Sequence, residues 1–454
     1  MNSIMDQHAA VAEKGAATGA ETAVAEGGEI RSGEMFPVPP QPASLRETGL
    51  PFAFLLDLTL KVLFNGGQLP LWQISERIRL PIAVLETLLT FMRSEQLCEI
   101  ARRGVVDADI RYQLTGAGRT RAEAALRRCQ YAGPAPVNLD TYTAQIERQS
   151  VADMRVTRLA IRGAFAGVVL RESLQEQFGA ALNSGHAILI YGPSGSGKTF
   201  IAEHLAQVLS GFVHVPHAIL VDDEVIQVFD PMVHFPAAES TQHGGLERGP
   251  SGDRRWTLCH RPVVMTGGEL TLAMLDLQFD KHTRFYVAPP QVKANNGLFI
   301  IDDLGRQLVS PHDLMNRWIV PLDRRVDHYA LHTGMKFRLP FDVNVIFSSN
   351  LQPADLGDDA FLRRLGYKIY VGEITPDEFR QILIEACERA RVPCSDQAFD
   401  YLLRRHADEQ RPLLACTPYD IVSKLRDQAD YAGTPPEITV ERLAWAWENY
   451  FADS

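Results

Sequence analysis

Ala187-Ile188-Leu189-Ile190-Tyr191-Gly192-Pro193-Ser194-Gly195-Ser196-Gly197-Lys198-Thr199 is the stretch on which the fold turns. Its first five residues form a short continuous apolar run, the pattern of a strand buried on both faces of a parallel sheet. The next eight fit GxxxxGK[ST], and Phe200 to Leu209 continue as an amphipathic helix. Strand, glycine-rich turn and helix in that order aim backbone N–H groups at β- and γ-phosphates, with the positive end of the helix behind them. Gly192, Pro193, Ser194, Gly195, Ser196 and Gly197 are therefore expected to cradle ATP. Lys198 would neutralise phosphate charge, and the Thr199 hydroxyl would bind Mg²⁺.

Such a loop needs a carboxylate partner. Gly297-Leu298-Phe299-Ile300-Ile301-Asp302-Asp303 supplies two acids at the carboxyl end of a second apolar strand. Asp302 is expected to hold Mg²⁺ through water, and Asp303 to polarise the attacking water. A third strand, Asp342 to Phe347, ends in Ser348-Ser349-Asn350, where a polar side chain can hold that water. Arg363 and Arg364 then close a short helix before a strand at Lys368–Val371.

The remainder of the 454 residues suggests several domains. Residues 1–46, rich in Ala, Gly, Glu and Pro, read as a disordered tail. From residue 47 to 131 the pattern predicts three helices, the hairpin Leu97–Ala101/Ile110–Leu114 and a closing helix, the order of a winged helix-turn-helix. Residues 132–154 read as a linker, with helix from about Val156 to Leu182 and a GlyGly-led helix from Gly267 to about Leu277. A hairpin is expected at 327–340, and a wholly helical block from about 375 onward. The six cysteines lack a paired CxxC and read as reduced thiols. The histidines show no metal-ligand spacing. No apolar run is long enough to span a membrane, and the N-terminus lacks a secretion signal, which predicts a cytoplasmic protein.

Phosphate loop, AspAsp strand, Asn-ended strand, paired arginines and helical block, in that order, resemble an AAA+ ATPase over residues 155–454. The resemblance implies a doubly wound α/β P-loop core at 155–372, a helical lid at 373–454, and a homo-oligomeric ring or helix, with a hexamer favoured. By position, Asn350 matches the first sensor, while Arg363 and Arg364 match the arginine finger that reaches a neighbour's γ-phosphate, with Arg364 preferred. Two departures stand out. Asp303 occupies the place of the usual Glu, and Tyr419 that of a second-sensor Arg; either Arg411 or Lys424 would substitute for it, or the lid senses nucleotide poorly.

A net charge of −11 argues against a nucleic-acid-coated protein. Residues 47–131 nevertheless carry 11 Lys+Arg against 9 Asp+Glu, with Arg102, Arg103 and Arg111 near the wing. The helix expected to read bases is mostly apolar and carries Glu86 and Glu95, so DNA binding and protein docking both stay open. The leading expectation is an ATPase that remodels a protein or DNA-bound partner. The alternatives are an ATP-gated DNA-binding regulator with incidental hydrolysis, and a nucleotide-assembled scaffold of a secretion or pilus apparatus.

Overall fold

The computed structural model of the chain describes residues 36–102, 109–237, 252–357 and 359–451. The expectation of disorder for residues 1–35 and the assignment of Arg103 to the wing lie outside these residues.

Five parallel strands organise the centre. They are β1 (Ala187–Tyr191), β2 (Val263–Thr266), β3 (Gly297–Ile301), β4 (Val343–Ser349) and β5 (Leu365–Tyr370), paired in the order β2-β3-β4-β1-β5. Every residue of β3 and β4 is buried, as continuous apolar runs require when helices cover both faces. Alternate side chains feed two cores. Leu189, Phe299 and Phe347 pack with Trp318 of the helix Pro311–Arg324. Ile190, Ile300 and Ile346 pack on the other face with Leu205 of helix α1 (Lys198–Val208) and Phe178. The order places β4 between β1 and β3, so the chain end at Asn350 emerges between the phosphate loop and the two acids.

Beyond β5, helices α2 (Pro376–Ala390), α3 (Asp396–Asp408), α4 (Cys416–Ala432) and α5 (Val440–Tyr450) share one core around Phe379, Leu402, Leu425 and Trp447. Thr375 and Glu378 start α2 with reciprocal side-chain-to-backbone hydrogen bonds that satisfy two otherwise unpaired N–H groups. At the other end of the chain, helices Phe52–Gly66, Leu71–Ile78 and Ile82–Ser94 precede the strands Cys98–Arg102 and Arg111–Leu114. With Leu69–Pro70 these make a three-stranded antiparallel sheet, closed by the helix Gly116–Arg128.

Four expectations need correction. Residues 132–154 are built into the body: Val137–Asn138 pairs in parallel with Ile219–Leu220, and the following helix Leu139–Arg148 buries Tyr142 and Ile146. Those two side chains, four residues apart, form an apolar stripe that the nearby prolines obscured. Within the supposed tail, residues 36–46 lie against the protein. Pro39 O accepts from Asp253 N at 2.8 Å, and the Arg261 guanidinium sits 5.7 Å from the Phe36 ring centre. A proline-rich strip has few donors but keeps its carbonyls, and this one uses them. The helix predicted across Val156–Leu182 is two helices, Arg158–Ala164 and Glu172–Ser184, parted at Gly167 in a left-handed conformation (φ +75°). The helix predicted from Gly267 is only a short 3₁₀ turn at Leu272–Leu275, because paired glycines disfavour helix initiation.

All six cysteines are free thiols. Among the described residues no cluster of His, Cys, Asp and Glu could hold a metal ion, and no helix is long and apolar enough to cross a membrane.

The N-terminal module is not tethered at a distance. Its core, including Leu58 and Leu85, continues into Ala218, Leu220 and Val225 of the hairpin Ala218–Val221/Glu224–Gln227. Arg255 locks the junction: it forms a bidentate, fully buried pair with Asp253 and donates to Thr48 O at 2.8 Å and Pro136 O at 3.1 Å. Arg255→Ala leaves the Asp253 charge buried with only the backbone N–H of residue 255 to meet it, and two carbonyls buried without their donor. Global stability should fall by about 3–5 kcal/mol in urea unfolding, and an unchanged midpoint would remove this role.

Candidate functional site

The loop after β1 takes its shape from glycine. Gly195 (φ +84°) and Gly197 (φ +93°) hold left-handed conformations that cost other residues energy. A side chain at Gly192 would place its Cβ 1.9 Å from Val371 O, so β5 can approach the loop only because glycine is there. Gly197 caps α1, whose first N–H groups have no partner within the helix. Pro193 and the exposed Ser194 form the outer limb, and Ser196 turns a buried, unpartnered hydroxyl inward.

Lys198 is buried beneath this loop. Its ammonium donates to Gly192 O (3.0 Å), Pro193 O (2.8 Å) and Asn350 Oδ1 (2.7 Å). Burial pulls its pKa below the usual lysine value, while Asp302 and Asp303 act in the opposite direction. The amide of Asn350 completes the link by donating to Asp303 Oδ1 at 3.3 Å. Asp303 itself adopts φ +50°, a left-handed turn immediately after β3 that points it away from Asp302.

Asp302 faces α1. Its Oδ2 accepts from Thr199 Oγ1 at 2.8 Å, whereas its Oδ1 is buried without a partner. An orphaned buried carboxylate oxygen beside a hydroxyl is a hard-oxygen donor set suited to Mg²⁺, so these two residues fit that ion.

A cavity of about 740 Å³ opens from the loop toward the C-terminal helices. Ser196, Gly197 and Cys416 line its phosphate end; Val169, Tyr370 and Ile382 give it apolar walls large enough for a base. The helix α4 touches the loop directly, since Cys416 N donates to Gly195 O at 3.1 Å. Neither proposed substitute for the second-sensor arginine lines this cavity. Arg411 pairs with Glu409 at 2.8 Å and lies over Phe451. Tyr419 does line it, donating its hydroxyl to Glu385 at 2.9 Å; burial and then that bond push its phenol up to about 12. Sequence reasoning missed Arg389, which reaches the cavity from α2 and sits 5.4 Å from the Tyr419 ring centre. Its signal was the shared helical face of Glu378, Ile382, Glu385 and Arg389.

The paired arginines separate. Arg364 donates to Asp323 at 2.8 Å, while Arg363 is exposed.

The chain has an α/β P-loop fold. A sequence-family model described as Domain of unknown function (DUF8689) matches residues 375–449, the span of α2 to α5. No curated protein matches the chain in sequence. Among solved structures, NtrX from Brucella abortus is similar at 14% identity and TM-score 0.39, over 64% of this chain and 57% of that one. The same protein in complex with ATP is similar at 14% identity and TM-score 0.38, over 81% and 72%. The RuvB Holliday junction branch migration motor of Thermotoga maritima is similar at 12% identity and TM-score 0.34, over 62% and 69%. The chain thus spans a little over half the length of the first NtrX structure, and likeness this remote leaves the chemistry to the site itself.

Lys198→Ala removes the cation that the loop encloses. Binding of a fluorescent ATP analogue should weaken at least about 100-fold, the scale of a lost buried charge contact to phosphate, with the circular-dichroism spectrum unchanged. Retained affinity would show that the loop does not hold phosphate.

Proposed function

We propose that the chain is an AAA+ ATPase that binds Mg·ATP in the 740 Å³ cavity and hydrolyses it at an interface between copies of itself, to remodel or move a protein partner. One observation carries this reading: Asn350 joins Lys198 to Asp303, bringing three distant sequence segments together beside the glycine loop. The Thr199–Asp302 pair stands beside them.

In this reading the loop N–H groups and Lys198 bind the β- and γ-phosphate oxygens and stabilise the charge that develops on transfer. Magnesium, held by Thr199 and Asp302, would supply further charge neutralisation when bound. Asp303 accepts a proton from water, and the Asn350 amide fixes the orientation of that carboxylate. The oxygen of the water bonds to the γ-phosphorus as the bond to the β–γ bridging oxygen breaks, releasing ADP and phosphate. Asp is one methylene shorter than Glu, so its reach to the water is tighter and turnover is slow. Arg363, projecting from the turn before β5, is the group that would reach a neighbouring copy's γ-phosphate; a guanidinium stays charged and binds oxygens in a fixed fork.

The N-terminal module reads as a winged helix that docks protein. The helix Ile82–Ser94 buries Val84, Leu85, Leu88, Leu89 and Met92 and leaves Ala83, Glu86, Thr87, Thr90, Phe91 and Ser94 facing outward, with Arg93 its one exposed cation, in the last turn. That face offers a duplex little that reads bases. DNA contact through Arg102 and Arg111 would appear as salt-dependent binding of the full chain to duplex DNA.

Asp303→Asn should still bind ATP at least as well as wild type and lower turnover by about 100-fold or more, the usual contribution of a general base; wild-type turnover would exclude Asp303 from that role. Arg363→Ala should be nearly inactive alone yet regain activity when mixed with Lys198→Ala subunits, because each mixed interface can hold one intact loop and one intact arginine. Full activity of Arg363→Ala by itself rules out the shared site.

A further inference from the structure

Arg306 is a charged side chain in the site that none of these roles uses. It lies in the turn after the two acids, and its Nη1 is 3.8 Å from Asp303 Oδ2. The other oxygen of Asp303 meets Asn350, and Asn350 meets Lys198. Arg306, Asp303, Asn350 and Lys198 therefore form one row, with a cation at each end. Lys198 is held by two loop carbonyls and the Asn350 amide oxygen. Among the described residues the Arg306 side chain is held by its long, incomplete pair with Asp303 alone, and it is 65% exposed.

The backbone beneath Arg306 is fixed. Arg306 N donates to Asp303 O at 2.9 Å, closing a turn that contains Gly305 at φ +106°. Gln307 pins the turn from below: its Oε1 accepts from Gly305 N at 2.8 Å, and its amide donates to Asp302 O and Gly267 O. A Cβ at Gly305 would come within 2.6 Å of the Leu351 side chain, so the turn packs closely beside the residue that follows Asn350. The backbone is anchored while the guanidinium is free to swing. An exposed pair of this length is worth about 0–1 kcal/mol, too little to be there for stability.

We propose that Arg306 is a substrate-operated arm. It neutralises Asp303 while no triphosphate is bound, and transfers to the terminal phosphate when ATP enters, leaving Asp303 free to accept a proton. The inference rests on the nucleotide-binding reading above. A guanidinium exchanges one oxyanion for another without losing charge, and the dianionic end of a triphosphate competes well against a single carboxylate. ADP lacks the terminal phosphate and would leave Arg306 on Asp303. The arm thus makes the base available only with the nucleotide that can be hydrolysed.

Binding of Mg·AMP-PNP and Mg·ADP to the full chain, measured by calorimetry, tests this without turnover. Arg306→Gln should weaken AMP-PNP about tenfold and leave ADP within about twofold. Asp303→Asn should tighten AMP-PNP, because it releases the arm, and that gain should vanish in the Asp303→Asn/Arg306→Gln double variant. Unchanged affinities in Arg306→Gln, equal losses for the two nucleotides, or a full gain persisting in the double variant would each overturn the proposal. Wild-type protein that binds neither nucleotide would instead overturn the underlying reading.

Discussion

The two hydrogen bonds of the Asn350 amide are the constraint on which the site depends. One end accepts from Lys198, the other donates to Asp303, and both are possible only because β4 lies between β1 and β3. Were β4 to trade places with β1 or β3, the strands carrying the lysine and the acid would be neighbours, about 5 Å closer, with no amide between them. Sheet order, usually treated as architecture, is here the device that fixes the spacing of Lys198 and Asp303. The buried apolar runs that hold β3 and β4 in register therefore act on the chemistry without touching it.

Glycine supplies the second constraint. Gly192 lets β5 come close, while Gly195 and Gly197 turn the chain so that α1 begins under the phosphate position. The contact from Cys416 to Gly195 adds the helical block to this arrangement. Loop and C-terminal helices are bonded through the backbone, so the position of one is reported to the other without any side chain.

How much of this was legible in the sequence depends on range. The loop, both acids and Asn350 were readable because each sits at the end of an apolar strand, and strands announce themselves by composition. The helices of the N-terminal module were readable through their periodicity and their Gly and Pro punctuation. What failed had no local signal or a misleading one. Residues 132–154 and 36–46 look like coil because they are proline-rich, yet they are held by partners more than 80 residues away. The break at Gly167 was visible as a glycine, but only the cavity explains why a helix should stop there. Arg363 and Arg364 are indistinguishable as letters. Asp323, on a helix some 40 residues earlier, separates them. Arg389 was hidden for a related reason, since the tyrosine it lies over comes from a different helix.

The junction at Arg255 has a consequence for how a partner would be presented. A module on a flexible linker holds its cargo at an effective concentration set by chain statistics, and the cargo samples every orientation within reach. Here the core shared with the hairpin at 218–227 and the buried Arg255–Asp253 pair remove that freedom. Anything docking on the N-terminal face would be held at one distance and one angle from the glycine loop. Geometry then does the work that affinity does in tethered systems: a weakly bound partner is still correctly aimed, and a strongly bound one of the wrong shape is not.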